Sequence, residues 1–431
     1  MAIPTIISQI IILIYNLADT YFVGRTGNPY MVAGASLILP VFNITLSVAG
    51  LAGVGGGALI SRLLGEHRED EAKKVSAFCF WLSIGISVLF STMMLLGMHP
   101  ILNALGASDK TYAFARDYSL CVLVFGGIPT VLSNVMSQLL RSTGMSKEVG
   151  FGITMGGITN MFLDPLFMFV LMPKGKEILG AGIATCLSNV IACIYFFTIL
   201  YRIRSTSVVR FSLKEGLPEK KSIISIFSVG IPSSVATFLF DLDYVVLDKL
   251  MVAYGDVALA AIGIVLKAER LPLNIGIGIC QGMMPIVAYN YSAKNISRMK
   301  ETIHFSLKVG LICAAISVTM YQIFAGNIMH MFIEDTQTVM LGENFLRIRS
   351  LATPLMFMSF FTVYIFQGFG KGNISLFLGT TRWAVFNIPM LFILNFIFGM
   401  YGLVYSQLTA DILTVTMSYL VYRNYTQKYI Y

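Results

Sequence analysis

The sequence predicts an all-α polytopic membrane protein, with twelve transmembrane helices in two pseudo-symmetric six-helix bundles. Three observations carry the prediction: an apolar composition, bilayer-length apolar runs along the whole chain, and a half-chain repeat about one long basic connection. Of the 431 residues, 56% are hydrophobic and 12% charged, against about 25% charged in soluble domains. The mean hydropathy is +0.77, so water is not the main solvent. In lipid the backbone must satisfy its own hydrogen bonds, and a run of about 20 apolar residues does so as a helix.

Taken in order, the expected spans are 3–24, 32–62, 73–98, 113–140, 149–172 and 179–201, then 222–250, 258–291, 303–325, 340–369, 374–398 and 400–422. Several exceed the length needed and contain Gly or Pro, which points to tilted or kinked helices. The first span lacks a basic leader and a small-residue cleavage site and carries Asn16 and Asp19, so it reads as a helix rather than a signal peptide. The six cysteines, Cys79, Cys121, Cys186, Cys193, Cys280 and Cys313, lie inside apolar segments without paired spacing, as small apolar residues do.

The net charge of +8 does not point to nucleic acid, because the Lys and Arg residues occupy short loops and form no basic face with interleaved aromatics. They orient the chain instead. With both termini in the cytosol, that side holds Arg62, Arg68, Lys73, Lys74, Arg141, Lys147, the cluster from Arg202 to Lys221, Lys294, Arg298, Lys300, Lys308, Lys371, Arg382, Arg423 and Lys428. The opposite side holds far fewer, so the positive-inside rule predicts a multi-pass protein of the cell membrane with N-in, C-in topology.

The longest polar connection lies midway and divides the chain into an N-terminal lobe (1–201), a cytosolic linker (202–221) and a C-terminal lobe (222–431). At an offset near 228 residues, Ile3-Pro4-Thr5 answers Ile231-Pro232-Ser233, and Val32-Ala33-Gly34-Ala35 answers Ala260-Ala261-Ile262-Gly263. With six helices per half, the copies share topology and are parallel repeats about the membrane normal.

An ionisable side chain inside a span costs at least about 2.5 kcal/mol on insertion scales and is a functional candidate by default. The N-terminal half offers Asn16 and Asp19 on helix 1, Asn160 and Asp164 on helix 5, and Thr185 and Asn189 on helix 6. Asn160 and Asp164, four apart, share one helix face. No Lys or Arg lies in helices 1 to 6 at that depth, so the carboxylates must bind a proton or a metal cation. Hard oxygen donors suit Na⁺ at Asp19, Asn160 and Asp164 as well as they suit H⁺. Pro165 frees the carbonyl of Met161. Interhelical hydrogen bonding is the competing reading, most of all for Asn16, Thr185 and Asn189.

The C-terminal half offers Asp241, Asp243 and Asp248 on helix 7 with Lys267, Glu269 and Arg270 on helix 8. Opposite charges are available there, so structural ion pairing stands beside a substrate or gating role. Gly53 and Gly55 to Gly57 lie within an apolar helix and read as close helix packing rather than a phosphate loop. Met136, Met155, Met161, Met283 and Met284 are candidates for an adaptable cleft wall, with Gln281 beside them. The four His residues are scattered, and no nucleophile with a base marks an enzyme.

Ile3-Pro4, the run Tyr15-Asn16-Leu17-Ala18-Asp19-Thr20-Tyr21-Phe22-Val23-Gly24, Asn160 to Pro165, Gln281-Gly282-Met283-Met284-Pro285 and Tyr289 to Asn295 together resemble the multidrug and toxic compound extrusion (MATE) family, most closely its bacterial MepA- and DinF-type branch. The resemblance covers essentially the whole chain. It implies two six-helix lobes about a V-shaped cavity and export of organic, often cationic, drugs by alternating access, in exchange for H⁺ or Na⁺. It also implies that Asp19, Asn160, Asp164 and Thr185 form the ion-coupling site. The NorM branch is associated with acidic residues on helices 7 and 10; helix 10 here carries Gln367 and no buried carboxylate after Glu343, which argues against that arrangement. The expected partners are small molecules and the bilayer, for a monomer without nucleic acid or a bound cofactor. A lipid-linked oligosaccharide or peptidoglycan-precursor flippase is the alternative, and it requires basic residues facing an N-lobe cavity that helices 1 to 6 lack. A membrane-embedded enzyme or receptor is the alternative from another class.

Overall fold

The computed structural model describes residues 2–429, and its regular structure is helical throughout. The N-terminal half builds α1 (Ala2–Arg25), α2 (Pro29–Gly65), α3 (Glu69–Leu96), α4 (Met98–Ala104), α5 (Asp109–Ser119), α6 (Gly127–Ser142), α7 (Ser146–Pro165) and α8 (Glu177–Arg202). The C-terminal half builds α9 (Lys220–Met251), α10 (Asp256–Ser292), α11 (Ile296–His330), α12 (Thr336–Ser350), α13 (Thr353–Gly368), α14 (Gly372–Thr380), α15 (Ile388–Phe398) and α16 (Met400–Tyr429). Sequence-encoded caps start several of them. Asn28 accepts from the amide of Tyr30 ahead of Pro29 in α2, and Asp335 accepts from the Thr338 amide at 2.8 Å to open α12; each satisfies an orphan first-turn donor.

Among the described residues, nine helices are long and apolar enough to cross a membrane, and two bent helix pairs bring the number to eleven. The twelfth expected span is α16, which has 30 residues, or about 45 Å of helix. It carries Gln407 and Asp411 inside, which lowers its hydropathy. The bends fall at corresponding places in the two halves: α5 with α6, and α12 with α13, each bent by 45°. Wide π-helical turns also recur, at Leu166–Leu171 after α7 and at Thr381–Asn387 between α14 and α15. A third, Leu120–Phe125, joins α5 to α6. The fourth and tenth spans therefore share a break, and the fifth and eleventh share a π turn, which is the half-chain repeat expressed in backbone geometry.

The chain forms two compact units, Ile3–Ser234 and Val235–Tyr431, so the division falls inside α9 rather than at the connection 202–221. The reason is that the connection is fastened to α3. Ser76 Oγ accepts from the Arg210 amide at 2.8 Å, and Trp81 Nε1 donates to the carbonyl of Phe211 at 2.9 Å. Phe211 packs on Phe80 and Phe197. The buried Glu71 carboxylate accepts from the Glu219 amide at 2.8 Å and from Ser222 Oγ at 2.6 Å, which holds the first turn of α9. Glycines then bring α9 against α2: a Cβ on Gly55 would strike the Ile226 carbonyl, and one on Gly230 the Leu51 carbonyl. The remaining glycines of that α2 run, Gly53, Gly56 and Gly57, face Gln138 and Cys79 of neighbouring helices.

Two residues expected in cytosolic loops are helical and buried. Arg141, 2% exposed, ends α6 with its guanidinium on Gln138 at 2.9 Å. Arg382, 3% exposed, lies within the π turn and pairs with Asp411. Neither belongs in a loop-charge comparison, because each lies in a helical turn with its guanidinium held by a neighbouring side chain.

Candidate functional site

In the first unit, Gly150, Gly157 and Asp164 recur every seven residues along α7 and lie on one face. A Cβ on Gly150 would meet the Pro4 carbonyl oxygen at 2.8 Å, and one on Gly157 would meet Ile11 Cγ2 at 2.8 Å and Tyr15 Cδ1 at 3.0 Å. From Pro4–Gly150 to Ile11–Gly157 both helices advance by seven, so α1 and α7 run parallel in a fixed register. The next step of that register pairs Ala18 with Asp164 and sets Asp19 beside it.

Asp164 is fully buried and Asn160 is 3% exposed. Asn160 Nδ2 donates to Asp164 Oδ1 at 3.1 Å and reaches Thr185 Oγ1 on α8 at 3.5 Å. Asp164 Oδ2 and Asp19 Oδ1 are buried without any hydrogen-bond partner. The two carboxylates are close enough for their charges to interact, and the phenols of Tyr15 and Tyr118 sense both. Among the described residues, no Lys or Arg forms an ion pair with either carboxylate. Directly after Asp164, Pro165 lacks an amide hydrogen, so the chain leaves α7 through the π turn.

Asp19, Asn160, Asp164 and Thr185 are thus brought together. Asn16 is exposed; its carbonyl accepts from Thr20 Oγ1 at 2.9 Å, and its side chain makes no hydrogen bond among the described residues. Asn189 is half-buried and makes no side-chain hydrogen bond among the described residues. Met155 and Met161 are half-buried on α7. A cavity of about 390 Å³ in this unit, lined by Ala33, Leu37, Pro40, Gly106 and Thr111 among others, includes none of the acidic cluster. No three His, Cys, Asp or Glu side chains gather among the described residues. Two orphan carboxylate oxygens flanked by an amide and a hydroxyl can hold a proton or a small hard monovalent cation.

The second unit holds a denser polar network. Arg349 of α12 grips Glu269 of α10 with two hydrogen bonds, 2.8 and 3.0 Å, and reaches Gln407 Oε1 at 3.4 Å. Gln407 donates to Asp411 at 3.1 Å, and Asp411 holds Arg382 at 2.9 and 3.3 Å. Asp243 accepts from Asn387 Nδ2 at 2.7 Å, while its other oxygen is buried without a partner. Ion pairing is present, but with partners other than those on helices 7 and 8. Asp241 and Asp248 are half-buried, Lys267 is exposed, and Arg270 stacks on Phe240 and Tyr244. Gln281 is half-buried, whereas Met283 is 2% exposed and Met136 and Met284 are also core residues. Those three methionines pack inside their units and form no exposed wall.

Sequence reasoning did not find Arg349, Arg382, Asn387, Gln407 or Asp411. The available signal was Gln407 and Asp411, four apart and therefore on one face of an otherwise apolar span.

A MatE family model matches residues 4–173 and 232–393. The chain belongs to the MatE family. It is 28% identical over 420 residues to the multidrug export protein MepA of Staphylococcus saprophyticus, covering 97% of this chain and 91% of that protein. It is 29% identical over 423 residues to MepA of Staphylococcus aureus, with the same coverage. An outward-facing multidrug resistance MATE transporter of the MOP superfamily superposes with a TM-score of 0.93 at 23% identity, covering 99% of this chain and 95% of that one. A MOP superfamily transporter from Pyrococcus furiosus gives 0.89 at 23% identity, covering 97% and 94%. Both structures have the fold described above.

Proposed function

We propose that this chain is a secondary active antiporter of the cell membrane that exports organic, often cationic, compounds in exchange for H⁺ or Na⁺, with its termini in the cytosol. The transport half of the reading is supported by membership of the MatE family and by near full-length similarity to proteins named for multidrug export. The coupling half rests on one observation: the buried Asp164, joined to Asn160 and neighbouring Asp19, pairs with no Lys or Arg among the described residues and has one oxygen without a partner. A buried carboxylate in that state is stabilised by binding a cation or a proton.

The exchange follows from linkage. An ion drives the conformational cycle only if it binds one state more tightly than the other. The α1–α7 register gives a route for such a difference, since sliding or bending α1 alters the distance from Asp19 to Asp164 while Asn160 and Thr185 stay on α7 and α8. Bound H⁺ or Na⁺ holds the two carboxylates together, and the emptied pair repels.

The test is efflux of a fluorescent organic cation from vesicles containing the full chain, driven by an imposed pH gradient or an imposed Na⁺ gradient. Asp164→Asn and Asp19→Asn each abolish ion-driven efflux. The gradient that drives wild-type efflux names the ion, and unimpaired driven efflux in both variants overturns the assignment.

A further inference from the structure

The connection 202–221 lies back along the first unit, and it carries an arginine whose charge is unmatched. Ser76 Oγ of α3 accepts from the Arg210 amide at 2.8 Å, Trp81 Nε1 donates to the carbonyl of the next residue, Phe211, and Val208 and Val209 are buried. The backbone of Arg210 is thus fixed on the side of α3. Its guanidinium is not: among the described residues it forms no ion pair and no hydrogen bond. Its Nε is buried, and the two terminal nitrogens remain accessible.

Lys73, one turn before Ser76, is close enough for its charge to interact with that of Arg210. Two cations held within reach of each other concentrate an anion between them. Of the acidic residues on the first turn of α3, Glu71 accepts from the Glu219 amide and Ser222 Oγ, and Glu69 is exposed. Asp70, 92% exposed, makes with Lys73 a solvated surface pair, which holds little and gives way to a better-placed anion.

Depth identifies that anion. Trp81 is 41% exposed, and an exposed tryptophan on a spanning helix marks the membrane interface. Arg210 is bonded to α3 at Ser76, five residues before Trp81, or roughly 8 Å of helix. An interfacial layer is about 5 to 8 Å thick, so Arg210 lies at the level of lipid phosphates. In the other direction Val88 and Leu89, both exposed, continue the face of Trp81 seven and eight residues on, as an apolar track.

We infer that Arg210 and Lys73 bind the phosphate of an anionic phospholipid of the phosphatidylglycerol class, whose acyl chain runs past Trp81 along Val88 and Leu89. The guanidinium takes two phosphate oxygens through paired N–H groups, and Lys73 adds a point charge. A zwitterionic lipid offers the same phosphate together with a cationic group that the two side chains repel. The site shares no residue with the acidic cluster of α1 and α7, and it stands whatever ion or compound the chain carries.

Trp81 is the reporter. The full chain is reconstituted in bilayers that contain either brominated phosphatidylglycerol or brominated phosphatidylcholine, and quenching of its fluorescence gives the relative binding constant of the two lipids. The second tryptophan, Trp383, is 3% exposed, and Trp81→Phe supplies its signal for subtraction. The wild type prefers the phosphatidylglycerol by about fivefold or more, as one basic residue at an anionic surface implies. In Arg210→Gln that preference falls to about one, and Arg210→Lys, which keeps the charge but not the fork, falls between. Lys214→Gln removes one exposed charge from the same connection and leaves the preference as in wild type. Unchanged quenching by the phosphatidylcholine shows that each variant is folded with Trp81 in place; where Arg210→Gln fails this, the same fall in Lys73→Gln decides. A wild type without preference, or an Arg210→Gln preference within about twofold of wild type, less than one surface charge is worth, overturns the site. So does an equal fall in Lys214→Gln, which assigns the preference to diffuse charge. Abolition of the wild-type preference by inorganic phosphate, with chloride at equal ionic strength leaving it intact, assigns the cations to a soluble phosphate and overturns the lipid.

Discussion

Removing Glu269 from beneath Arg349 tests how the second unit is held together. The Arg349 side chain is 2% exposed and that of Glu269 is 9% exposed, and two hydrogen bonds of 2.8 and 3.0 Å join them. In Glu269→Ala the guanidinium keeps only the 3.4 Å contact to Gln407, which leaves a buried charge almost uncompensated. Breaking a buried pair from one side costs about 3 to 5 kcal/mol, or roughly two to almost four powers of ten in the unfolding constant, and Arg349→Ala strands the carboxylate at a similar cost. The double variant Glu269→Met/Arg349→Met removes both charges and fills the volume, so it lies within about 1 kcal/mol of wild type. Unfolding of the purified protein in mixed micelles with increasing denaturing detergent gives all the values on one scale. Single losses below about 1 kcal/mol, or a Met/Met loss equal to the sum of the single Met substitutions, refute the reasoning, since contacting residues must show a coupling energy.

Gly157→Leu places a side chain where Ile11 and Tyr15 now lie against the backbone; the overpacking costs about 1 to 3 kcal/mol and forces α1 off α7. Ion-driven efflux falls with it, whereas Gly85→Leu, at a position with open space around it, leaves efflux unchanged; equal efflux in the two variants contradicts the register argument. At the start of α12, hydrogen bonds from the Thr338 hydroxyl and amide hold the Asp335 carboxyl below the usual aspartate range. A carboxylate lowered in the folded state stabilises above its unfolded value and loses that contribution as pH falls through the folded one. Protection of the first-turn amides of α12, taken relative to their intrinsic exchange rate at each pH, is therefore steady at neutral pH and falls only below the usual aspartate range. Asp335→Ala shows the lower protection already at neutral pH, and the two proteins converge once wild-type Asp335 is protonated.

The sequence made the spans legible because hydropathy over a bilayer-length window is a property of the segment alone. It also paired Asn160 with Asp164, because four residues on a helix fix a shared face. The α1–α7 seam was not legible in the same way. Gly150, Gly157 and Asp164 show a seven-residue spacing, but nothing local says which helix lies against them, and the contacts come from Pro4, Ile11 and Tyr15, about 146 residues earlier. Arg382 and Arg349 were unreadable for a different reason. A cation near the end of an apolar run resembles a loop residue until its carboxylate is known, and Asp411 and Glu269 are 29 and 80 residues away. Asp411 was itself unread because one carboxylate in α16 shows no partner until Arg382, 29 residues earlier, is placed against it.

The π-helical turns give these helices a spare residue. One residue more per turn rotates everything downstream by roughly 100° relative to an unbroken α-helix, so the stripe that faces lipid before the turn is not the continuation of the stripe that faces lipid after it. In the fifth span the turn follows immediately on Asp164, and in the eleventh it contains both Arg382 and Asn387. Each of these spans can therefore aim polar side chains inward along one part of its length and keep an uninterrupted apolar coat along the other. Deleting a single residue from either turn would leave composition and hydropathy almost untouched, yet it would turn half a helix to face the wrong solvent.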